Sequence, residues 1–128
     1  MTEKVTEKVT ETQTARETAR NQAIAVAVAY RRAMETGDPE GVALAPGAWQ
    51  SEQGRVVDAD ADSIRRHIAG NAGKVRFRDT RWFVDGEDVI SLGLGDIEGA
   101  TLHIASRTRV VGGLITELES VFSVTPTP

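Results

Sequence analysis

The sequence predicts an α+β domain in which helices come first and a strongly curved antiparallel sheet follows. Three observations predict it. Apolar residues recur at i, i+3 and i+4 ahead of Gly70, the period switches to two from Lys74 onward, and Gly-containing turns cut the second half into segments of strand length. The clearest turn is Gly112-Gly113, because a tight hairpin between alternating segments needs φ > 0 at its centre.

Residues 1–18 read as a polar N-terminal tail. Thr2 to Glu11 repeats Thr-Glu-Lys-Val, offers only Val5 and Val9 for burial, and stacks like charges four residues apart. A helical dimerisation arm is the competing reading. From Ala19 to Thr36 helix formers dominate, with Ile24, Ala27, Val28, Arg31 and Tyr30, Ala33, Met34 in helical spacing, and Gly37 with Pro39 stopping the run. Pro39 to Ala45 suits a short second helix that ends at Pro46-Gly47. Asp62 or Ser63 then caps a third helix through Ile64, His67 and Ile68 to Gly70. Four strands follow, Lys74 to Val84, Asp88 to Ile97, Ala100 to Val111 and Leu114 to Val124, joined at Asp85-Gly86, Glu98-Gly99 and Gly112-Gly113. Residues 19–124 form one domain and 125–128 a short tail.

With 128 residues the chain suits one modest core. Its net charge of -4 argues against tracking a phosphate backbone, so the Lys74, Arg76, Arg78, Arg81 stretch reads as a solvated strand face and nucleic acid is not expected as a partner. Without cysteine, and with two histidines 36 positions apart, no metal site is expected. Asp58, Asp60 and Asp62 start like a calcium loop, but Ser63 and Ala69 stand where Gly and Glu are required, so they read as loop and N-cap residues. The glycines of Gly93-Leu94-Gly95 are not spaced for a dinucleotide and suit sheet curvature. No apolar run has membrane length and no signal-peptide pattern opens the chain, so the expected compartment is the cytoplasm.

Two-residue loops without bulges fix the strand registers, with Leu94 opposite His103 and Arg107 opposite Leu118. One face then collects Ile90, Leu92, Leu94, Asp96, His103, Arg107, Leu118 and Phe122, an apolar surface punctuated by a few ionisable groups, as in ligand cavities. Asp96 and His103 are diagonal neighbours there, suited to acid/base work; the competing reading is a water-exposed rim pair beside the Glu98-Gly99 turn. Glu117 and Glu119 fall on the opposite face, an assignment that a single bulge would reverse. Trp49, in a loop after Pro46-Gly47, suits a lid over the cavity. Trp82 and Tyr30 suit its walls, His67 its mouth, and Glu52 its entrance loop, although core packing or plain exposure accounts for each as well.

Ala29-Tyr30 on helix one, the Gly-Asp-Pro stop, Ser-Glu-Gln-Gly, Phe-Val-Asp-Gly and Arg-Val-Val-Gly-Gly-Leu-Ile-Thr-Glu-Leu-Glu together resemble the NTF2-like superfamily, specifically its SnoaL-like branch, over roughly residues 20 to 124. The resemblance implies an NTF2-like cone, commonly a homodimer, whose members include ketosteroid isomerases, polyketide cyclases, epoxide hydrolases and dehydratases as well as binding modules. It implies a cofactor-independent cyclase or isomerase acting on an apolar polyketide- or terpenoid-like small molecule. Asp96 would be the base or the His orienter, His103 the proton shuttle, Arg107 an electrophilic stabiliser and Tyr30 a hydrogen-bond donor. Leu94, Leu118, Phe122, Trp49, Glu52, His67 and Trp82 would line the substrate. The alternative is a non-catalytic small-molecule-binding or dimeric assembly module.

Overall fold

The computed structural model describes the backbone of residues 2–128 and the side chains from residue 10 onward. Two helices and six strands follow in the order α1 (Thr2–Thr36), β1 (Leu44–Glu52), β2 (Arg55–Asp58), α2 (Ala61–Gly70), β3 (Arg76–Asp85), β4 (Asp88–Ile97), β5 (Ala100–Val111) and β6 (Leu114–Pro126). The strands form one sheet in the order β2-β1-β6-β5-β4-β3, antiparallel throughout except for the parallel β1–β6 pair. Both helices lie against this sheet.

Three expectations need correction. The first helix begins at Thr2 instead of Ala19, although residues 10–22 stay exposed; the Ala, Glu, Gln and Arg interspersed among its threonines are good helix formers. Val5 and Val9 lie outside the residues with described side chains. Pro39–Ala45 is not a helix, and the stretch that follows is strand β1, so two helices stand among the described residues where three were expected. Pro46-Gly47 does not end an element; it loops out of β1, where pairing passes from Leu44–Ile115 to Trp49–Glu117, as Pro and Gly do at strand irregularities. Ser-Glu-Gln-Gly closes the β1–β2 hairpin, with positive φ at Gln53 and Gly54, and Gln53 bonds both backbone groups of Phe122 on β6.

The core sits at one end of the sheet. α2 presents Ala61, Ile64 and Ile68 at helical spacing to Leu44 and Ala48 of β1 and to Ile115 and Leu118 of β6, with Ala33 of α1 closing the cluster. Ile64, Ile68 and Ile115 are fully buried. Asp60, not Asp62 or Ser63, caps α2 by accepting the Ser63 N–H at 2.8 Å.

The registers decide which side chains face the helices. β4 and β5 pair without a bulge, and Leu94 stands opposite His103 as the turn at Glu98-Gly99 requires. β5 and β6 follow the expected register only for Val111–Leu114 and Val110–Ile115; beyond that Arg109 pairs with Glu117 and Arg107 with Glu119, leaving Thr116 as a bulge residue. The bulge turns Leu118, Ser120 and Phe122 to the inner face, with Ile104, Ser106 and Thr108, and sends Glu117 and Glu119 outward to Arg107 and Arg109. A second irregularity between Arg78 and Arg81, with Asp79 at positive φ, puts Phe77 and Trp82 on the inner face together and separates Trp82 from the strand's arginines. Gly93 accommodates that kink: a Cβ there would meet Thr80 Oγ1 at 2.8 Å.

Candidate active site

Under the helices, the inner sheet face encloses a cavity of about 250 Å³. Its walls are mainly apolar, from Met34, Val75, Ile97, Leu102, Ile104 and Phe122, and polar groups converge on it at two places.

The first lies at the β1–β2 side. His67 Nδ1 stands 2.8 Å from Asp58 Oδ2, and its Nε2 stands 3.5 Å from Glu52 Oε1. Asp58 is buried, and its other oxygen accepts from Ser63 Oγ at 2.7 Å. The local sequence explains the arrangement: Ser63 and His67 are one turn apart on the same face of α2, so both reach the carboxylate at the end of β2. An ionised carboxylate only accepts, so Asp58 fixes the proton of His67 on Nδ1 and leaves Nε2 for the Glu52 side of the cavity. Gln50 Nε2 donates to the same Glu52 oxygen at 3.3 Å, and Tyr30 Oη donates to Gln50 Oε1 at 3.1 Å. Burial, reinforced by Glu52, pushes the Tyr30 phenol well above its ordinary range, so it remains a neutral donor.

The second lies at the β3–β5 side. Arg31 follows Tyr30 by one step, about 100° around α1, which sends the two side chains to different sides of the cavity. Its Nη2 donates to Ser91 Oγ at 2.8 Å and Ser106 Oγ at 2.9 Å, and those hydroxyls contact each other. The guanidinium lies 4.3 Å from the Phe77 ring centre and 5.5 Å from that of Trp82. Burial pushes its pKa below the ordinary value. The residue is only 7 % exposed, and Nη1 is buried without a hydrogen-bond partner.

Of the residues expected from sequence, Tyr30, Glu52, His67, Trp82, Leu118 and Phe122 line this cavity. Asp96, His103 and Arg107 do not: they occupy the outer face, because the helices cover the other side of the sheet. Asp96 is exposed and pairs with Arg78 at 3.1 Å, and His103 is exposed beside Thr125, 3.3 Å away, so they form no pair. Arg107 reaches Asp88 at 2.8 Å, Glu117 at 2.9 Å and Glu119 at 3.2 Å, and these hydrogen bonds, Glu119 foremost, hold it firmly charged. Leu94 shares that outer face, and Trp49 sits in β1 away from the cavity lining, so neither wall nor lid falls to them.

Three residues were missed. Asp58 was set aside with the neighbouring aspartates, although Ser63 and His67 at i and i+4 were the signal that one carboxylate could serve both. Arg31 sat in the apolar stripe of helix one, and a charge within such a stripe is the signal it gave. Gln50 gave none.

The family model of a domain of unknown function, DUF8021, matches residues 16–122. No curated protein matches the chain. Among solved structures, the chain is similar to a putative ketosteroid isomerase from Kribbella flavida DSM 17836, at 17% identity over 85% of this chain and 83% of that one, with a TM-score of 0.67. It is similar to an NTF2-like protein of unknown function from Cytophaga hutchinsonii ATCC 33406, at 13% identity over 79% and 89%, with a TM-score of 0.67. An LEH-like epoxide hydrolase of M. tuberculosis is similar at 18% identity over 82% and 85%, with a TM-score of 0.62. At such identities the likeness is one of fold, and the helix-covered curved sheet is that fold. The chain thus belongs to the DUF8021 family of domains of unknown function, and its fold is NTF2-like.

Proposed function

We propose that this protein is a cofactor-independent acid/base enzyme of the isomerase or cyclase type, acting on a compact, apolar, polyketide- or terpenoid-like molecule held in the inner cavity. One observation carries the reading: a histidine with one ring nitrogen on a buried aspartate and the other turned toward a glutamate at an apolar cavity. The names of structural neighbours, an isomerase and an epoxide hydrolase among them, are in keeping with catalysis on this fold.

His67 Nε2 removes a proton from a carbon beside a carbonyl, and Asp58 stabilises the imidazolium that forms while keeping the ring oriented. The proton returns to a different carbon of the same molecule, from His67 directly or by way of Glu52, so the double bond moves and no electrons are gained or lost. Tyr30 and Gln50 hold Glu52 in place. Asp96, His103 and Arg107 take no part in this reading.

The test uses conversion of a β,γ-unsaturated cyclic ketone to its conjugated isomer, followed by absorbance. The wild-type protein is expected to accelerate it well beyond free imidazole, and His67→Gln and Asp58→Asn to remove the acceleration without unfolding the chain. Full activity in a folded His67→Gln protein would refute the assignment.

A further inference from the structure

Arg31 is a cation buried beside the cavity. Among the described residues no carboxylate forms an ion pair with it; Glu35 acts only from farther away, its Oε2 accepting the Phe77 N–H at 2.9 Å. Two serine hydroxyls and two ring faces solvate the guanidinium, and none carries a negative charge. Isolated buried charges are costly and are ordinarily paired, so a structure that keeps one beside a cavity is missing an anion there.

Resting on the reading of this cavity as the ligand site, we infer that Arg31 recognises a carboxylate, so that the substrate is a small monocarboxylic acid with an apolar body. The anion carries a single charge: one buried guanidinium faces the cavity, the other cation of its lining, Lys74, is exposed to water, and Glu52 opposes a second negative group. The acid binds in one direction. Arg31 works against β4 and β5, His67 against β1 and β2, and β6 lies between them. At about 4.8 Å per strand, β1 and β5 are roughly 10 Å apart. A carboxylate at Arg31 therefore sets the far end of a compact molecule beside His67, where the carboxylates repel a reversed orientation. The planar guanidinium suits the fork of a carboxylate, with Nη1 the donor still lacking a partner.

Calorimetric titration with phenylacetate and with phenylacetamide, equal in shape and different by one charge, decides the matter. Wild-type protein is expected to bind the acid at least tenfold more tightly than the amide. Arg31→Met should erase that preference while still binding the amide, Arg31→Lys should retain part of it, and His67→Gln should leave it intact. Equal binding of acid and amide by wild type, absence of acid binding, or survival of the preference in Arg31→Met would each overturn the proposal. Tighter binding of inorganic phosphate than of phenylacetate would do so too. Should Arg31→Met fail to fold, the wild-type ratio and the Arg31→Lys protein still decide. Loss of ketone isomerisation dependence on His67 would instead count against the catalytic reading and leave the acid preference standing.

Discussion

Arg31 and Arg107 press against opposite faces of one sheet, both mostly removed from water, and they have opposite surroundings. Arg107 is enclosed by three carboxylates from β4 and β6 within 3.2 Å. Arg31 is more deeply buried and has two hydroxyls and two aromatic rings. On the outer face Arg107 is answered three times over by the chain, which marks architecture; on the inner face Arg31, beside a cavity, has no ion-pair partner among the described residues. The histidines divide the same way, His103 on an exposed threonine and His67 on a buried aspartate. A residue type near a sheet therefore says little about chemistry until its partners are known.

The bulge at Thr116 creates this division, and reversing it at the next two residues should have the largest effect. Exchanging the neighbours, Glu117→Leu together with Leu118→Glu, would bury a carboxylate in the core and take a core leucine out of it, at a cost of more than about 5 kcal/mol. The expected outcome in urea unfolding is loss of the cooperative transition; an exchanged protein with wild-type stability would mean that the faces are fixed by something else. Next is the contrast between the histidines. His67→Gln should lower ketone isomerisation by about 10² to 10⁴-fold, whereas His103→Gln should stay within about twofold. Parallel rate measurements on both variants check it, and equal losses would erase the distinction between the faces.

Smaller effects are expected from the arginines. Arg107→Met leaves three carboxylates facing one another and should destabilise by about 1 to 2 kcal/mol at neutral pH, the partial exposure of the cluster limiting the loss. Arg31→Met should leave unfolding stability within about 1 kcal/mol of wild type or raise it, since an unpaired buried charge is replaced by an apolar chain of similar length. Chemical denaturation of the two proteins side by side tests the contrast, and a larger loss at Arg31 would show the cation to be structural.

Tyr30, the chain's single tyrosine, gives the smallest effect. Its folded phenol titrates above the ordinary value of about 10, so the native state favours the protonated form. That contribution is complete below pH 10 and is lost as pH rises beyond it, by up to about 1.4 kcal/mol per pH unit. Phenolate absorbance should therefore stay absent in the folded protein past pH 10 and emerge with alkaline unfolding; free titration near 10 in the native state would place the phenol in water.

Much of the fold was legible because it depends on near neighbours. The switch from helical to alternating spacing located β4 and β5 to the residue, and Gly112-Gly113 fixed the first two pairs of the last hairpin. β1 was not legible, since Pro46-Gly47 reads as a terminator and only the parallel partner β6, about 70 residues away, makes a strand of the residues around it. Half the candidate site was legible too: His67, Glu52, Tyr30 and Trp82 were named from their types and positions. The proposed trio Asp96, His103 and Arg107 shared a face as reasoned, and it was the face turned away from the helices.

The sequence by itself determined the class of fold, the strand-turn-strand order of its second half and the chemical groups on hand, since periodicity and turn preference act over a few residues. Only the tertiary structure decided which face became the cavity and which ion pairs formed. A one-residue bulge exchanges the two faces of a strand at little local cost, and its outcome is settled by the packing of α1 and α2 on the sheet. For the same reason Asp58 acquired its histidine and Arg31 its isolation: partners 9 and 60 to 75 residues away meet only when the elements assemble.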